Sequence, residues 1–437
     1  MTKSKIWVII KVYRNIIMID LKHLIQNPDI YKAQMTKRAK SPNTVDELVS
    51  SYQNWLSNQT ELEELRVIKN LANREMPNLQ GEAKTTKLEE MKQVSSKIGE
   101  LESQARELNL VVEKLLKQIP CILSEETPIG KSDLDNPVIK TFGIAKKYNF
   151  EPKPYWELPV YKNTVSQEDG TKVMGSRGYY MLGAMAKFQK VLFDYALDVV
   201  LSEGFELMYV PLMLNEKVLT GTGHLPDFDG QQYQIPIDEN RDFYLIGSSE
   251  PSIMGYYMDK QLGGLVKPIL NTCWSSCFRK EAGSYGKDQQ GILRVHQFEK
   301  IEMVAIVRPE DTDKLHERFQ AIVEKIYSDL DICYRAVEVC TGDLPAKHRR
   351  QIDQEAWFPS QKQYREICSN GNAADYQNRG LRIKYTNDLG EKNTPWGLNC
   401  TAMTFRTGLS ILEQNQEQDG RVKLPKVLAQ RYGSDYL

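Results

Sequence analysis

The stretch that decides the fold runs from Cys277 to Met303 and reads CFRKEAGSYGKDQQGILRVHQFEKIEM. Its two ends alternate as strands do, and a charged, glycine-containing turn separates them, which predicts a β-hairpin. Arginines, a phenylalanine and glutamates in one sheet are costly unless the charges have partners. An anionic, planar ligand would supply them: a phosphate for Arg279, an adenine ring stacked on Phe298 and a cationic amine for Glu302. The alternative is a solvated hairpin whose charges pair with one another.

This hairpin resembles motif 2 of the class II aminoacyl-tRNA synthetases, and its run RVHQFEKIE resembles the seryl-tRNA synthetase form of that motif. Three further stretches carry the same resemblance. Gly175 to Gly183 is similar to motif 1, which forms the dimer interface in class II enzymes, and Gly221 to Tyr233 is similar to a recurrent family loop. Leu398 to Leu428 is similar to motif 3, a strand leading into a helix. The resemblance covers nearly all of residues 18–430.

The resemblance implies a two-step reaction, in which serine is activated with ATP and then transferred to the 3′ end of tRNA(Ser). The catalytic residues that it implies are Arg279, bridging the amino-acid carboxylate and the α-phosphate, and Arg406, holding the γ-phosphate. Magnesium is expected at Glu366 and Ser369. We expect no protein nucleophile, because arginines that position two anions need no covalent step. The residues implied for ATP binding are Arg279, Lys280, Glu281, Val295, His296, Gln297, Phe298, Glu366, Ile367, Cys368, Ser369 and Arg406.

Recognition of the amino acid is expected from polar groups on several segments. A site that hydrogen-bonds a hydroxyl rejects alanine, because the analogue leaves its polar groups unpaired. Serine could therefore be selected without an editing domain, and no segment is left over to form one. The residues implied for serine binding are Ser248, Ser249, Glu250, Arg279, Glu302, Asn399 and Thr401.

The sequence departs from the family pattern on the amino-acid side of the expected site. Ser248 stands where the family usually has threonine, Gly371 where it has a cysteine and Gly380 where it has an arginine. Motif 3 is also one residue short between Leu398 and Arg406. Two alternatives to a housekeeping enzyme therefore stay open. One is a paralogue that activates serine or a close analogue for a specialised pathway or for resistance, and the other is a non-catalytic tRNA-binding paralogue.

The N-terminal part has the pattern of a coiled coil. Residues from Val45 to Glu75 have apolar positions at near-heptad spacing, and the pattern resumes after a turn at Pro77 to Gly81. The second segment contains two series spaced by seven: Met91, Ile98, Ala105 and Val112, and Val94, Leu101, Leu108 and Leu115. Such a seam needs a partner, so we predict an antiparallel helical hairpin within residues 18–120. Its basic residues are either a solvated face or a surface for RNA, and the resemblance implies contact with the long arm of tRNA(Ser).

The remaining chain predicts an α+β fold. Residues 121–150 contain prolines and glycines without a clear period, which indicates a linker. Residues 151–437 mix strands and helices without βαβ spacing, which favours an antiparallel sheet with flanking helices. We therefore expect a helical coiled-coil arm followed by a class II catalytic domain, and the resemblance implies a homodimer.

Composition limits the compartment and the partners. The net charge of −1 gives no overall attraction to nucleic acid, and the seven cysteines form no CxxC pair, which favours reduced thiols and no structural zinc. No apolar run approaches the ~20 residues that span a bilayer, so no membrane is expected. Residues 1–17 contain four basic residues and no acid. They are either an upstream extension before Met18, with a cytoplasmic enzyme, or a mitochondrial targeting sequence.

Overall fold

A computed structural model describes residues 18–226, 229–238, 241–281 and 290–437. The chain divides into two compact units, Met1–Pro120 and Cys121–Leu437. The predictions for residues 1–17 concern a segment outside the described residues. In the part of the chain that is described, every helix is too short or too polar to cross a bilayer.

The first unit is helical. Its helices are α1 (Leu21–Gln26), α2 (Pro28–Lys37), α3 (Asn43–Glu75) and α4 (Gly81–Leu116). The two long helices, α3 and α4, pack against each other as a hairpin. A short 3₁₀ turn at Met76–Asn78 ends the first of them, and Gly81, with a φ of +58°, begins the second. A glycine suits this position because it adopts positive φ without a steric cost.

The seam between the two long helices follows the predicted heptads. Leu62 of α3 packs with Ile98 and Leu101 of α4, and these three side chains are buried. Polar pairs flank the apolar contacts: the Asn58 Nδ2 donates to Gln104 Oε1 at 3.3 Å. The predicted antiparallel helical hairpin is therefore confirmed.

Within its described residues, the second unit contains an eight-stranded sheet, three smaller sheets and helices of up to 20 residues. Its strands are β1 (Val138–Phe142), β2 (Val165–Ser166), β3 (Tyr180–Met181), β4 (Glu206–Leu207), β5 (Met213–Asn215), β6 (Gln234–Asp238), β7 (Arg241–Leu245), β8 (Ile269–Phe278), β9 (Gln297–Val307), β10 (Tyr334–Glu338), β11 (Arg350–Phe358), β12 (Gln363–Ala374), β13 (Tyr385–Thr386), β14 (Lys392–Asn393) and β15 (Trp396–Thr404). Its helices are α5 (Pro159–Thr164), α6 (Gln167–Met174), α7 (Gly183–Ser202), α8 (Glu216–Gly221), α9 (Glu250–Tyr256), α10 (Thr312–Asp329), α11 (Tyr376–Gly380), α12 (Phe405–Gln414) and α13 (Lys426–Tyr432).

The large sheet has the strand order β1-β10-β11-β12-β15-β9-β8-β4. All neighbouring strands run antiparallel except β4 and β8, which are parallel. The expected antiparallel α+β architecture is therefore confirmed. The stretch 121–150, expected to be a linker, contributes β1 at the edge of this sheet and belongs to the second unit.

The predicted hairpin forms strands β8 and β9 of the large sheet. Cys277 pairs with Phe298 and Cys273 with Glu302, which sets the register. The middle of the predicted turn, residues 282–289, lies outside the described residues. Along β9, Ile301 and Met303 join the hydrophobic core, whereas Lys300 and Glu302 line a cleft. This division follows from strand geometry, since successive side chains point to opposite faces of the sheet.

The core beneath the sheet is built by helices α7 and α10. Phe188 and Phe193 of α7 and Phe319 of α10 are fully buried there. Buried aromatic side chains of this size contribute strongly to stability. They support the sheet from one face and leave the polar side chains of the other face free for a ligand.

Candidate active site

A cleft of about 510 Å³ lies over the central strands of the large sheet. Its walls come from segments that are far apart in sequence, including β8, β9, β12 and β15. Most side chains that the sequence analysis selected meet here. The predicted residues that line the cleft are Ser248, Glu250, Arg279, Glu281, Val295, Phe298, Glu302, Glu366, Ile367, Cys368, Ser369, Asn399, Thr401 and Arg406.

Arg279 follows strand β8 and lies between two walls of the cleft. Its Nε donates to the backbone oxygen of Gly247 at 3.3 Å, and its guanidinium lies 5.4 Å from the ring centroid of Phe298. Its backbone N–H donates to the oxygen of His296 at 2.9 Å. These contacts fix the stem of Arg279 on the sheet, and its exposed guanidinium lies over an aromatic face suited to a planar ligand.

Arg406 lies at the first turn of α12, where strand β15 ends. Its Nη1 donates to the backbone oxygen of Glu366 at 3.2 Å and lies 3.5 Å from the carboxylate of the same residue. Burial lowers the pKa of Arg406, and the nearby charges of Arg294 and Arg279 lower it further. Three guanidinium groups therefore lie close enough to repel one another. Such an arrangement favours an anionic ligand that separates them.

The opposite end of the cleft carries a buried carboxylate. Glu302 of β9 is only 1% exposed and accepts hydrogen bonds from Asn399 Nδ2 and Thr401 Oγ1, both at 3.2 Å. Lys300 Nζ lies 2.7 Å from Glu302 Oε2 and donates to Ser248 Oγ at 2.9 Å. Ser248 thus keeps the hydroxyl function of the threonine that it replaces.

A second buried carboxylate, Glu250, begins helix α9. Lys347 Nζ donates to both of its oxygens, at 2.8 and 2.7 Å, and Gln377 Nε2 donates to it at 2.7 Å. Burial by itself would raise the pKa of Glu250, but the Lys347 charge and the His224 ring hold it well below its usual value. Glu250 is therefore ionised and already has a cationic partner.

Two buried histidines surround this ion pair. His224 Nε2 lies 3.4 Å from Lys347 Nζ. The ring nitrogens of His348 lie 2.7 Å from Gln351 Oε1 and 2.9 Å from Asn399 Oδ1. Burial lowers the pKa of His224 and of His348 to about 4, and the Lys347 charge contributes to both shifts. Both rings are neutral near pH 7.

Four predicted site residues lie outside the cleft wall. Lys280 is exposed, and its backbone N–H donates to Gln231. His296 Nδ1 donates to the backbone oxygen of Arg279 at 3.0 Å. Gln297 is exposed on β9, and Ser249 is fully buried before α9. These residues shape the frame that carries Arg279 and Glu250.

The sequence analysis missed several cleft residues. Lys347, His348 and Gln351 lie in or next to the segment between β10 and β11, and His224 follows α8. The run KHRR at 347–350 is basic, but nothing local in the sequence distinguishes a buried lysine from a solvated one. Only the fold brings Lys347 within hydrogen-bonding distance of Glu250.

The cleft is chemically polarised. Arginines occupy the end near α12, and two buried carboxylates occupy the other end. Such a site can hold a phosphate-bearing ligand beside a small zwitterion, with the negative groups of both directed at the arginines.

Known proteins resemble this chain along nearly its whole length. Residues 18–123 match the family model for the seryl-tRNA synthetase N-terminal domain. Residues 233–415 match the model for the tRNA synthetase class II core domain (G, H, P, S and T). The first match covers the helical hairpin, and the second covers the strands that build the cleft.

Individual relatives give the same result. The chain is 34% identical over 420 residues to the serine–tRNA ligase of Corynebacterium glutamicum, covering 96% of this chain and 98% of that protein. It is 37% identical over 417 residues to that of Dictyoglomus turgidum, covering 94% and 97%. The solved structure of seryl-tRNA synthetase from Pyrococcus horikoshii complexed with ATP superposes with a TM-score of 0.87 at 32% identity, covering 96% and 99%. With relatives above 30% identity matched over more than nine-tenths of both chains, and with a cleft that joins motifs 2 and 3, this chain belongs to the seryl-tRNA synthetase family.

Proposed function

We propose that this chain is a serine–tRNA ligase, which activates serine with ATP and transfers it to the 3′ end of tRNA(Ser). The observation that carries the proposal is the shared cleft of Arg279 and Arg406, with the buried Glu302 at its other end. Two guanidinium groups from distant parts of the chain suit a triphosphate, and the carboxylate suits the ammonium of an amino acid. The relatives named as serine–tRNA ligases support the choice of substrate.

In the first step, a carboxylate oxygen of serine forms a bond to the α-phosphorus of ATP. The bond from that phosphorus to the bridging oxygen breaks, and pyrophosphate leaves. Arg279 bridges the carboxylate and the α-phosphate, and Arg406 holds the γ-phosphate. Positioning of this kind supplies roughly 7 to 11 kcal/mol of the barrier, so no side chain has to form a covalent bond.

The adenine lies against Phe298, next to Glu281 and the backbone at Val295. The side chain of Glu281 is held by Arg294 Nη1 at 3.2 Å, which orients it beside the base. In the second step, a ribose hydroxyl of the tRNA attacks the adenylate carbonyl, the ester bond forms, and AMP leaves with both electrons of the broken bond.

The residues expected to hold magnesium have a suitable donor set. Glu366 lies on the cleft wall with Ser369, and Asp353 of the neighbouring strand is paired with Ser369 in the sheet. Burial raises the pKa of Asp353 well above its usual value, and the Glu366 carboxylate raises it further. The raised pKa keeps Asp353 protonated, so the ligands offered are the Glu366 carboxylate and the Ser369 hydroxyl, which are hard oxygen donors of the kind that Mg²⁺ prefers. When bound, the ion neutralises charge on the phosphates, and Glu366 and Ser369 are the residues that would hold it.

Serine recognition follows from the groups around Glu302. This carboxylate receives the α-ammonium, while Asn399 and Thr401, which already contact Glu302, meet the hydroxyl. Alanine would leave these polar groups unpaired, which gives strong discrimination.

The proposal extends to the partners and the compartment. The hairpin of α3 and α4 contacts the long arm of tRNA(Ser), and the chain forms a homodimer through the stretch similar to motif 1. The cytoplasm is the proposed location, since all seven cysteines are buried free thiols, which suits a reducing compartment.

The test is ATP–pyrophosphate exchange followed by tRNA charging. Exchange is measured with serine, threonine, alanine and cysteine, and charging with tRNA(Ser) that has or lacks its long arm. We expect exchange with serine above the other three and charging that depends on the long arm. Exchange with a different amino acid would indicate a specialised paralogue, and tRNA binding without exchange would indicate a non-catalytic one.

A further inference from the structure

Lys347 is a buried cation inside the amino-acid end of the cleft. It lies between β10 and β11 and is only 4% exposed. Its Nζ lies 2.8 and 2.7 Å from the two oxygens of Glu250 and 3.4 Å from His224 Nε2. These three contacts fix the position of the Lys347 side chain, although the residue lines a ligand cavity.

The Lys347–Glu250 ion pair changes the charge that a ligand meets at this end of the cleft. Among the described residues at this end of the cleft, Lys347 donates to both oxygens of Glu250, whereas Lys300 contacts Oε2 of Glu302 and also donates to Ser248. The two neighbouring histidines are neutral near pH 7. A side-chain ammonium that a substrate places next to Glu250 would therefore meet the Lys347 charge instead of an unpaired carboxylate, and like charges in close contact repel each other.

Two glycines make room for this cluster, and both are departures from the family pattern. A Cβ on Gly371 would lie 2.3 Å from Cε1 of the His348 ring. A Cβ on Gly380 would lie 2.0 Å from the backbone oxygen of Gly221, which ends helix α8 three residues before His224. A side chain at position 371 would therefore collide with the His348 ring, and one at position 380 with the backbone of Gly221. Gly371 thus leaves space for the His348 ring, which follows Lys347 in the chain.

We propose that Lys347 is a specificity-determining residue of the amino-acid site. By pairing with Glu250 it withdraws that carboxylate from the substrate, so that Glu302 receives the α-ammonium. The cleft then accepts an amino acid whose side chain is small and uncharged, and Lys347 repels a cationic side chain. This inference rests on the proposed adenylation of an amino acid, and it deepens that function by defining the side chain.

The test compares L-serine with L-2,3-diaminopropionate, which carries an ammonium in place of the hydroxyl. ATP–pyrophosphate exchange gives kcat/KM for both substrates with the wild-type chain and with Lys347→Met. The variant removes the charge and keeps most of the side-chain volume. We expect it to lower the preference for serine at least about tenfold, because Glu250 becomes free to pair with the side-chain ammonium. Lys190→Met, at an exposed lysine on α7, is the matched control and leaves the preference unchanged.

A double variant, Lys347→Met with Glu250→Gln, separates charge from size and from folding. It buries no unpaired carboxylate, and we expect it to regain most of the wild-type preference for serine. ATP binding, measured by calorimetry, establishes that each variant is folded. An unchanged preference in a folded Lys347→Met variant, or a double variant as unselective as the single one, would overturn the inference. The proposed function fails separately, if the wild-type chain shows no exchange with serine.

Discussion

At the scale of single residues, the site depends on guanidinium groups that the fold forces together. Arg279 and Arg406 are far apart in sequence but line one cleft, and burial and mutual repulsion lower the pKa of Arg406. Glu366 beside Arg406 and Glu281 beside Arg294 offset part of this repulsion. Anionic phosphates relieve it, which is why such clusters are frequent at binding sites.

Arg279→Ala should abolish most of the exchange activity. The variant loses the group that bridges two anions, and removal of one such charge-stabilising donor typically costs about 10²- to 10³-fold in kcat. Affinity for tRNA, measured by filter binding, should change little, because that contact is assigned to the helical hairpin. Arg421→Ala, at an exposed arginine paired with Asp419, serves as the control. Exchange that survives Arg279→Ala would contradict its assigned role.

We predict that the protein loses stability in acid because of His316, a buried residue outside the cleft. It is buried in α10 against the backbone oxygen of Asn370, at 3.1 Å, and burial lowers its pKa from 6.5 to about 4. The unfolded chain takes up a proton below pH 6.5 and the folded one does not. The free energy of unfolding therefore falls as the pH drops from about 6.5 to 4, by about 3 kcal/mol for this residue.

Urea unfolding at several pH values checks this. His316→Gln should make the dependence between pH 6.5 and 4 less steep, because it removes one of the buried histidines that titrate there, while His224 and His348 remain. A variant with the same slope as the wild type would show that another group causes the loss.

At the scale of elements, the helical hairpin and the sheet can be modified separately. Leu62, Ile98 and Leu101 form an apolar cluster inside the hairpin, with Leu65 and Val94 packed against it. The two long helices are therefore held together at this cluster. The parts of both helices between the cluster and the turn can be removed while the cluster itself is kept. The strands that carry the cleft residues belong to the other unit.

Shortening the hairpin should separate charging from activation. Residues 66–93 are replaced by a short glycine-serine loop, which keeps the cluster around Leu62. We expect ATP–pyrophosphate exchange to be unchanged and charging of tRNA(Ser) to fall at least about tenfold, because contacts to the RNA backbone supply much of such affinity. A tRNA without its long arm is the control, since the shortened enzyme should lose nothing further with it. Undiminished charging would show that the hairpin does not bind tRNA.

At the scale of the whole molecule, exposed apolar side chains lie where the second copy of the proposed homodimer is expected. Tyr180 and Leu182, in the stretch similar to motif 1, are 44% and 57% exposed. Exposed apolar side chains near an expected interface favour association. The proposed homodimer would cover them.

Light scattering after gel filtration should give twice the chain mass of 50.3 kDa. Leu182→Glu places a charge in the proposed interface and should shift the protein towards the monomer. Leu134→Glu, at a leucine that is 90% exposed in the 3₁₀ turn Asp133–Asp135, should leave the mass unchanged. A wild-type monomer at micromolar concentration would contradict the proposal.

The sequence by itself determined the helical hairpin and the two strands of the central β-hairpin, and its resemblance to the class II synthetases supplied most of the cleft residues. Heptad spacing and strand alternation are local patterns, and they set which faces of an element are apolar. They place Glu302 and Lys300 on one face of β9, opposite Ile301 and Met303, before any fold is known.

Only the tertiary structure decided which charged side chains form ion pairs. Lys347 and Glu250 are 97 residues apart and pair at 2.7 Å, and the stretch expected to be a linker, residues 121–150, supplies an edge strand of the main sheet. Gly371 and Gly380 lack the side chains that the family pattern has at these positions, yet each occupies a position where a Cβ would collide with another part of the chain. The physical reason is that burial and ion pairing depend on contacts between distant segments, and a local pattern carries no information about them.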